Sequence, residues 1–161
     1  MKAFEDIAIG DRSELGSHRF SAEEIIRFAK AFDPQPFHTS EAGGSASPFG
    51  RMIASGWHTA AAFMKLYVAF DKEHQRLAEA EGGRADHAGP SPGFEDMRWR
   101  KPVHAGDTLT YVSEVREKRD LRSMPGWGLV ILHNEAHNQD GELVYSFTGK
   151  VFVRRRAPEA G

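Results

Sequence analysis

Cysteine is absent from the 161-residue sequence. That removes disulfides, thiolate metal sites and cysteine nucleophiles together, and it fits a reducing compartment. Long apolar runs are absent too, so no segment reaches transmembrane length, and the start of the chain has no apolar stretch of the secretory kind. A cytoplasmic protein is expected. Strong charge is missing: 21 Lys and Arg against 23 Asp and Glu leave a formal net charge of −2, which gives no pull towards nucleic acid or an anionic membrane. There is no Gly-x4-Gly-Lys-Ser/Thr phosphate loop. Gly126-Trp-Gly128 lacks the third glycine of a dinucleotide site, and His133 with His137 is too small a set for a metal, so metal is expected to be none. No internal repeat is visible, and a chain this long reads as one domain over residues 1–161.

What is present concentrates in residues 28–70. Ser21-Ala-Glu-Glu24 reads as a capping box, with Phe20 placed to staple onto Ile25. Ile25, Phe28, Ala29 and Phe32 follow on one helical face. Asp33 ends that helix, because Pro34 disfavours helical geometry in the residue before it. Pro34 and Pro36 then stiffen the short link to His38. A second helix is expected from Ser55-Gly56 to about Phe70, apolar nearly all round and therefore a core element. Gly56 at its start lets another atom approach the first amides, a setting suited to a carbonyl oxygen that turns negative.

Further along, the sequence reads mainly as strands. Residues 4–19 suggest a short strand, a turn and an extended approach to the first helix, with His18 as an ordinary edge histidine. Residues 39–48 are rich in breakers and read as a loop with one helical turn. Residues 82–93 read as an exposed loop, either a passive connection or a lid. Leu109, Tyr111, Ser113 and Val115 alternate along one strand, and Asp140-Gly141 between alternating runs marks a hairpin. Gly149 suggests a bulge in the last strand, and Arg154 to Arg156 a solvated tail. A buried helix with successive antiparallel strands makes an α+β domain in which a curved sheet wraps the helix.

Phe28-Ala-Lys-Ala-Phe-Asp33-Pro-Gln-Pro-Phe-His38, followed by Phe49-Gly-Arg-Met-Ile53-Ala-Ser-Gly56, resembles the MaoC-like dehydratases, the group that contains the (R)-specific enoyl-CoA hydratases. Trp99-Arg-Lys-Pro-Val-His-Ala-Gly-Asp107 is similar to that family's strand-turn-strand, so the likeness spans residues 20–153. The resemblance implies a hot-dog fold, a homodimer or higher homo-oligomer, an acyl-CoA thioester substrate, no cofactor, and hydration of a trans-2-enoyl-CoA to the (R)-3-hydroxyacyl-CoA. It implies Asp33 and His38 as the catalytic pair, with Ser55, Gly56 and Trp57 at the helix start as substrate-binding candidates. Core packing is the ordinary alternative for Trp57. The sequence departs from the family's pattern at Phe32, Gln35 and Phe37, and Ala61 stands where a serine is common, with His58 and Thr59 supplying polar groups nearby. An Asp before Pro or a His after it is ordinarily structural; the two together, upstream of the Gly56 segment, point to chemistry. Arg51, Arg98, Arg100 and Lys101 are available to CoA phosphates as readily as to solvent. A thioesterase on the same fold, and a non-catalytic acyl-CoA or acyl-carrier-protein binding partner, are the alternatives.

Overall fold

The computed structural model describes residues 3–82 and 88–156. A 3-10 turn at Phe4–Asp6 leads into β1 (Arg12–Arg19), α1 (Ala22–Phe32), two short helices α2 (Pro36–Thr39) and α3 (Glu41–Ser45), and the long α4 (Gly56–Ala80). Four strands follow: β2 (Gly93–Trp99), β3 (Thr108–Asp120), β4 (Trp127–His137) and β5 (Leu143–Arg154). The strands form one antiparallel sheet in the order β1-β3-β4-β5-β2. Residues 83–87, in the segment read above as a loop or lid, lie outside the described residues; Ala88 beyond them bridges Val153.

Local signals explain the entry into α1. Ser21 Oγ accepts from the Glu24 amide, and Phe20 and Ile25 are both fully buried. Asp33 closes the helix in a non-helical conformation, its amide still bonded to Ala29 O. Pro36 then opens α2 at a position where its missing N–H costs nothing, so the link carrying His38 is a helical turn.

Helix α4 runs ten residues beyond the expected end at Phe70, about 37 Å in all at 1.5 Å per residue. The charged continuation is helical because its residues favour helix and pair along it: Gln75 bonds Asp71, and Arg76 bonds Glu73. Gly82, at φ 76°, follows the end in the left-handed region. The expectation that α4 is buried all round is corrected. Only His58, Thr59, Ala62 and Phe63 are buried, while Trp57, Met64 and Val68 are exposed at 54%, 53% and 42%. One sheet face covers one side of a helix, and the other side keeps an apolar stripe. None of the described helices is long and apolar enough to cross a membrane.

Phe63, Leu109, Tyr111, Tyr145 and Phe147 form the main core against α4, and Phe4, Ile7, Val130 and Val153 a second cluster at the sheet's far end. The hairpin between β4 and β5 is closed by Asn138, whose Oδ1 accepts from the Asp140 and Glu142 amides. Gly149 makes no bulge; it pairs regularly with Leu132, and a Cβ there would crowd Asn134 and Phe147. The arginine tail is engaged by protein: Arg155 pairs with Glu5 and Asp120, Arg156 with Asp6, and Arg154 lies over Trp127.

His18 lies on the edge strand β1, but its side chain turns inward instead of facing solvent. Its ring packs edge-on against Phe20 and approaches Glu24 at 3.6 Å. His58 is likewise interior, stacked on Phe28 at 4.6 Å, with His18 6.1 Å away. Burial, reinforced by His18 and Arg27 and opposed by Glu24, pushes the His58 pKa down to about 4. A histidine kept neutral by folding contributes stability above its unfolded pKa of 6.5, and that contribution is lost as pH falls towards 4. Urea unfolding is therefore expected to show stability falling by about 2 kcal/mol between pH 7.5 and pH 5 on account of His58, a share that disappears in His58→Leu. Equal pH slopes in the two proteins would show that His58 is charged in the native state.

Candidate active site

The site lies where α1 ends and α4 begins. Asp33 at the end of α1 is half-buried, and both its oxygens are held. Gln35 Nε2 donates to Oδ1 at 2.8 Å, and Ser55 Oγ donates to Oδ2 at 2.6 Å. Burial would push this carboxyl up, but the Ser55 and Gln35 hydrogen bonds and the nearby His38 outweigh it and hold the pKa below the usual carboxylate range.

His38, on α2, is 5% exposed. Its Nδ1 lies 2.8 Å from the Ile53 carbonyl, which can only accept, so Nδ1 carries a proton. The other nitrogen, Nε2, then faces Asp33 Oδ2 at 3.3 Å. The Ile53 amide bonds back to Phe37 O, so the strand-like segment before α4 grips α2 through both backbone and imidazole. One oxygen of Asp33 and the second nitrogen of His38 thus face each other directly. This arrangement can accept a proton from a water and hand one on.

Ser55, Gly56 and Trp57 occupy different positions from one another. Ser55 is buried, caps α4 by accepting from the Trp57 amide at 3.2 Å, and spends its proton on Asp33. Among the described residues the Gly56 amide, first of the helix, has no acceptor. Trp57 points outward, its ring edge-on to Trp99, so core packing is not its role. Trp99 was not singled out from the sequence. Its indole lies on Gly56 where a Cβ would be, and its Nε1 donates to Gly56 O at 2.9 Å. His58 and Thr59 turn into the core, away from solvent. Of the candidate phosphate contacts, Lys101 pairs with Glu142 and Arg100 donates to Ser146. Among the described residues no group of three metal-ligating side chains has the geometry to hold an ion.

The family model described as MaoC like domain matches residues 8–130. The uncharacterised protein YdeM of Bacillus subtilis (strain 168) is 30% identical over 151 residues, covering 94% of this chain and 98% of its own. Among solved structures, the MaoC-like dehydratase from Rhodospirillum rubrum is 34% identical with a TM-score of 0.81, covering 98% of this chain and 99% of that one. The (R)-hydratase from A. caviae involved in PHA biosynthesis is 25% identical with a TM-score of 0.61, covering 94% of this chain and 99% of that one.

The fit of Trp99 over Gly56 has a measurable cost when violated. Gly56→Ala is expected to lower stability by about 1–3 kcal/mol, because a methyl group there must displace a packed indole and its hydrogen bond. Urea unfolding checks this; an unchanged midpoint would mean that Trp99 swings away at no cost.

Proposed function

The chain belongs to the MaoC-like dehydratase family and has the hot-dog fold, and from that premise we propose that it hydrates a trans-2-enoyl-CoA to the (R)-3-hydroxyacyl-CoA and catalyses the reverse dehydration. The observation that carries this reading is the aim of His38. With Nδ1–H spent on Ile53 O, only Nε2 is free, and it faces the fixed Oδ2 of Asp33 beside the start of α4. Asp33 and His38 act as one unit: together they take a proton from water as its oxygen adds to C3, and return a proton to C2. The thioester oxygen gains enolate charge as the new bond forms. The Gly56 amide, at the positive end of α4, is the donor that meets it.

Further along α4, an apolar cavity of about 480 Å³ lies between the helix and β4 and β5, lined by Phe63, Met64, Tyr67, Val68, Leu132 and Phe147. Phe63 is two turns, about 10 Å, from Gly56 along the helix, so an acyl chain leaving a thioester at the helix tip has apolar walls within reach. No cofactor takes part in this chemistry. A cysteine-free chain of this kind suits the cytoplasm.

The protein acts as a homodimer joined along β2. That edge strand carries exposed Phe94 and Trp99, and the neighbouring stripe of Trp57, Met64 and Val68 on α4 leaves apolar surface that a second copy covers. A bulge between Glu95 and Arg98, with Asp96 at φ 53°, limits how far a strand can pair along the edge.

With crotonyl-CoA as substrate, loss of the enoyl absorbance without thiol release is expected for the native protein. Asp33→Asn and His38→Ala should each lower the rate by at least about 100-fold. Full activity in both variants removes the pair from the chemistry, and release of free thiol in place of hydration makes the protein a thioesterase. Sedimentation should give a dimer, converted to monomer by Met64→Lys together with Val68→Lys; a dimer that survives both charges is held by some other face.

A further inference from the structure

Ser55 enters the sequence pattern as a candidate contact to substrate, yet the one proton of its hydroxyl is already given to Asp33. It is 1% exposed. A hydroxyl has one proton to give. Here the Trp57 amide donates to Oγ at 3.2 Å, and the proton of Oγ goes to Asp33 Oδ2 at 2.6 Å, an oxygen that can only accept. The direction of the bond is therefore set by the helix cap. Gln35 holds the other oxygen, so the Ser55 bond decides the rotation of the oxygen that faces His38 Nε2 at 3.3 Å. The same bond places the carboxylate beside the first turn of α4, where the helix dipole favours negative charge.

We propose that Ser55 is the positioning residue of this site: its hydroxyl, oriented by the N-cap of α4, fixes the Asp33 oxygen that shares a water with His38. The inference rests on the reading of Asp33 and His38 as the catalytic pair, and it assigns Ser55 no contact with substrate. A hydrogen bond of this kind to a charged acceptor restrains the carboxylate and favours its ionised form. Losing it frees Oδ2 to rotate and makes Asp33 easier to protonate.

Three variants separate this role from simple capping. Ser55→Ala loses cap and donor; Ser55→Gly loses the donor but remains an acceptable N-cap; Ser55→Thr keeps both. Hydration of crotonyl-CoA is followed across pH, and the Asp33 carboxyl is titrated by carbon NMR, its signal assigned with Asp33→Asn. In Ser55→Gly and Ser55→Ala, kcat is expected to fall about tenfold with KM within about twofold, the acid limb of the rate profile to move to higher pH, and the Asp33 midpoint to rise. Ser55→Thr restores all three. A wild-type Asp33 midpoint in folded Ser55→Gly would overturn the proposal, as would a wild-type kcat. If the native protein fails to hydrate crotonyl-CoA, the reaction reading falls, and the Asp33 titration by itself still decides for or against the role of Ser55.

Discussion

A single hydrogen bond, from Ser55 Oγ to Asp33 Oδ2, joins the end of α1 to the start of α4. Two helices that belong to different stretches of chain thereby share one electrostatic centre. On one side the carboxylate terminates α1 in a conformation imposed by Pro34; on the other, the hydroxyl terminates the orphan amides of α4. Ser55 is buried and Asp33 half-buried, so water competes for the bond only from the carboxylate side, and its loss leaves the Ser55 hydroxyl proton unmatched in the interior. The placement of His38 follows from the same junction. The residues that carry the chain from α3 to Ser55 present Ile53 O to its Nδ1, so the cap, the carboxylate and the imidazole are held by one short segment.

The sheet serves this junction from behind and from the side. Behind, Tyr111 on β3 donates to Thr59 O, anchoring the first turn of α4 in the core. From the side, β2 brings Trp99 onto Gly56, closing the flank of the helix tip with an indole whose N–H satisfies a helix carbonyl. The glycine is thus explained by a ring from a distant strand. Aromatic packing of Phe20, Phe28, His18 and His58 fills the space between α1 and α4. Near neutral pH both imidazoles stay uncharged, although His18 Nε2 and His58 Nδ1 are buried without a hydrogen-bond partner, and the same contact becomes a liability in acid.

Much of the fold was legible because its signals are local. The Ser21 cap with its Phe20–Ile25 staple, the Asp33 stop, the start of α4 and the β4–β5 hairpin each depend on a few neighbouring residues whose backbone preferences agree. Legibility failed where the deciding partner is far away in sequence. The outer face of α4 carries Trp57, Met64 and Val68, which read as core by composition, but burial depends on how much surface one sheet can cover. His18 reads as a surface residue until Phe20 and His58 pack against its ring. The continuation of α4 past Phe70 was hidden by its charge, since a solvated helix has no apolar period to announce it.

By itself the sequence determined the α+β class, because strand alternation, turns and helix caps are local signals, and its resemblance to the MaoC-like dehydratases singled out Asp33 and His38. Only the tertiary structure decided what the groups do to one another. Ser55 donates to a carboxylate 22 positions earlier, the Nδ1 of His38 is taken by a carbonyl 15 positions later, and Trp99 reaches Gly56 across 43 positions. Hydrogen-bond direction and side-chain burial are set by which atoms the fold brings within 3 Å or so, and no local preference of the chain encodes that distance.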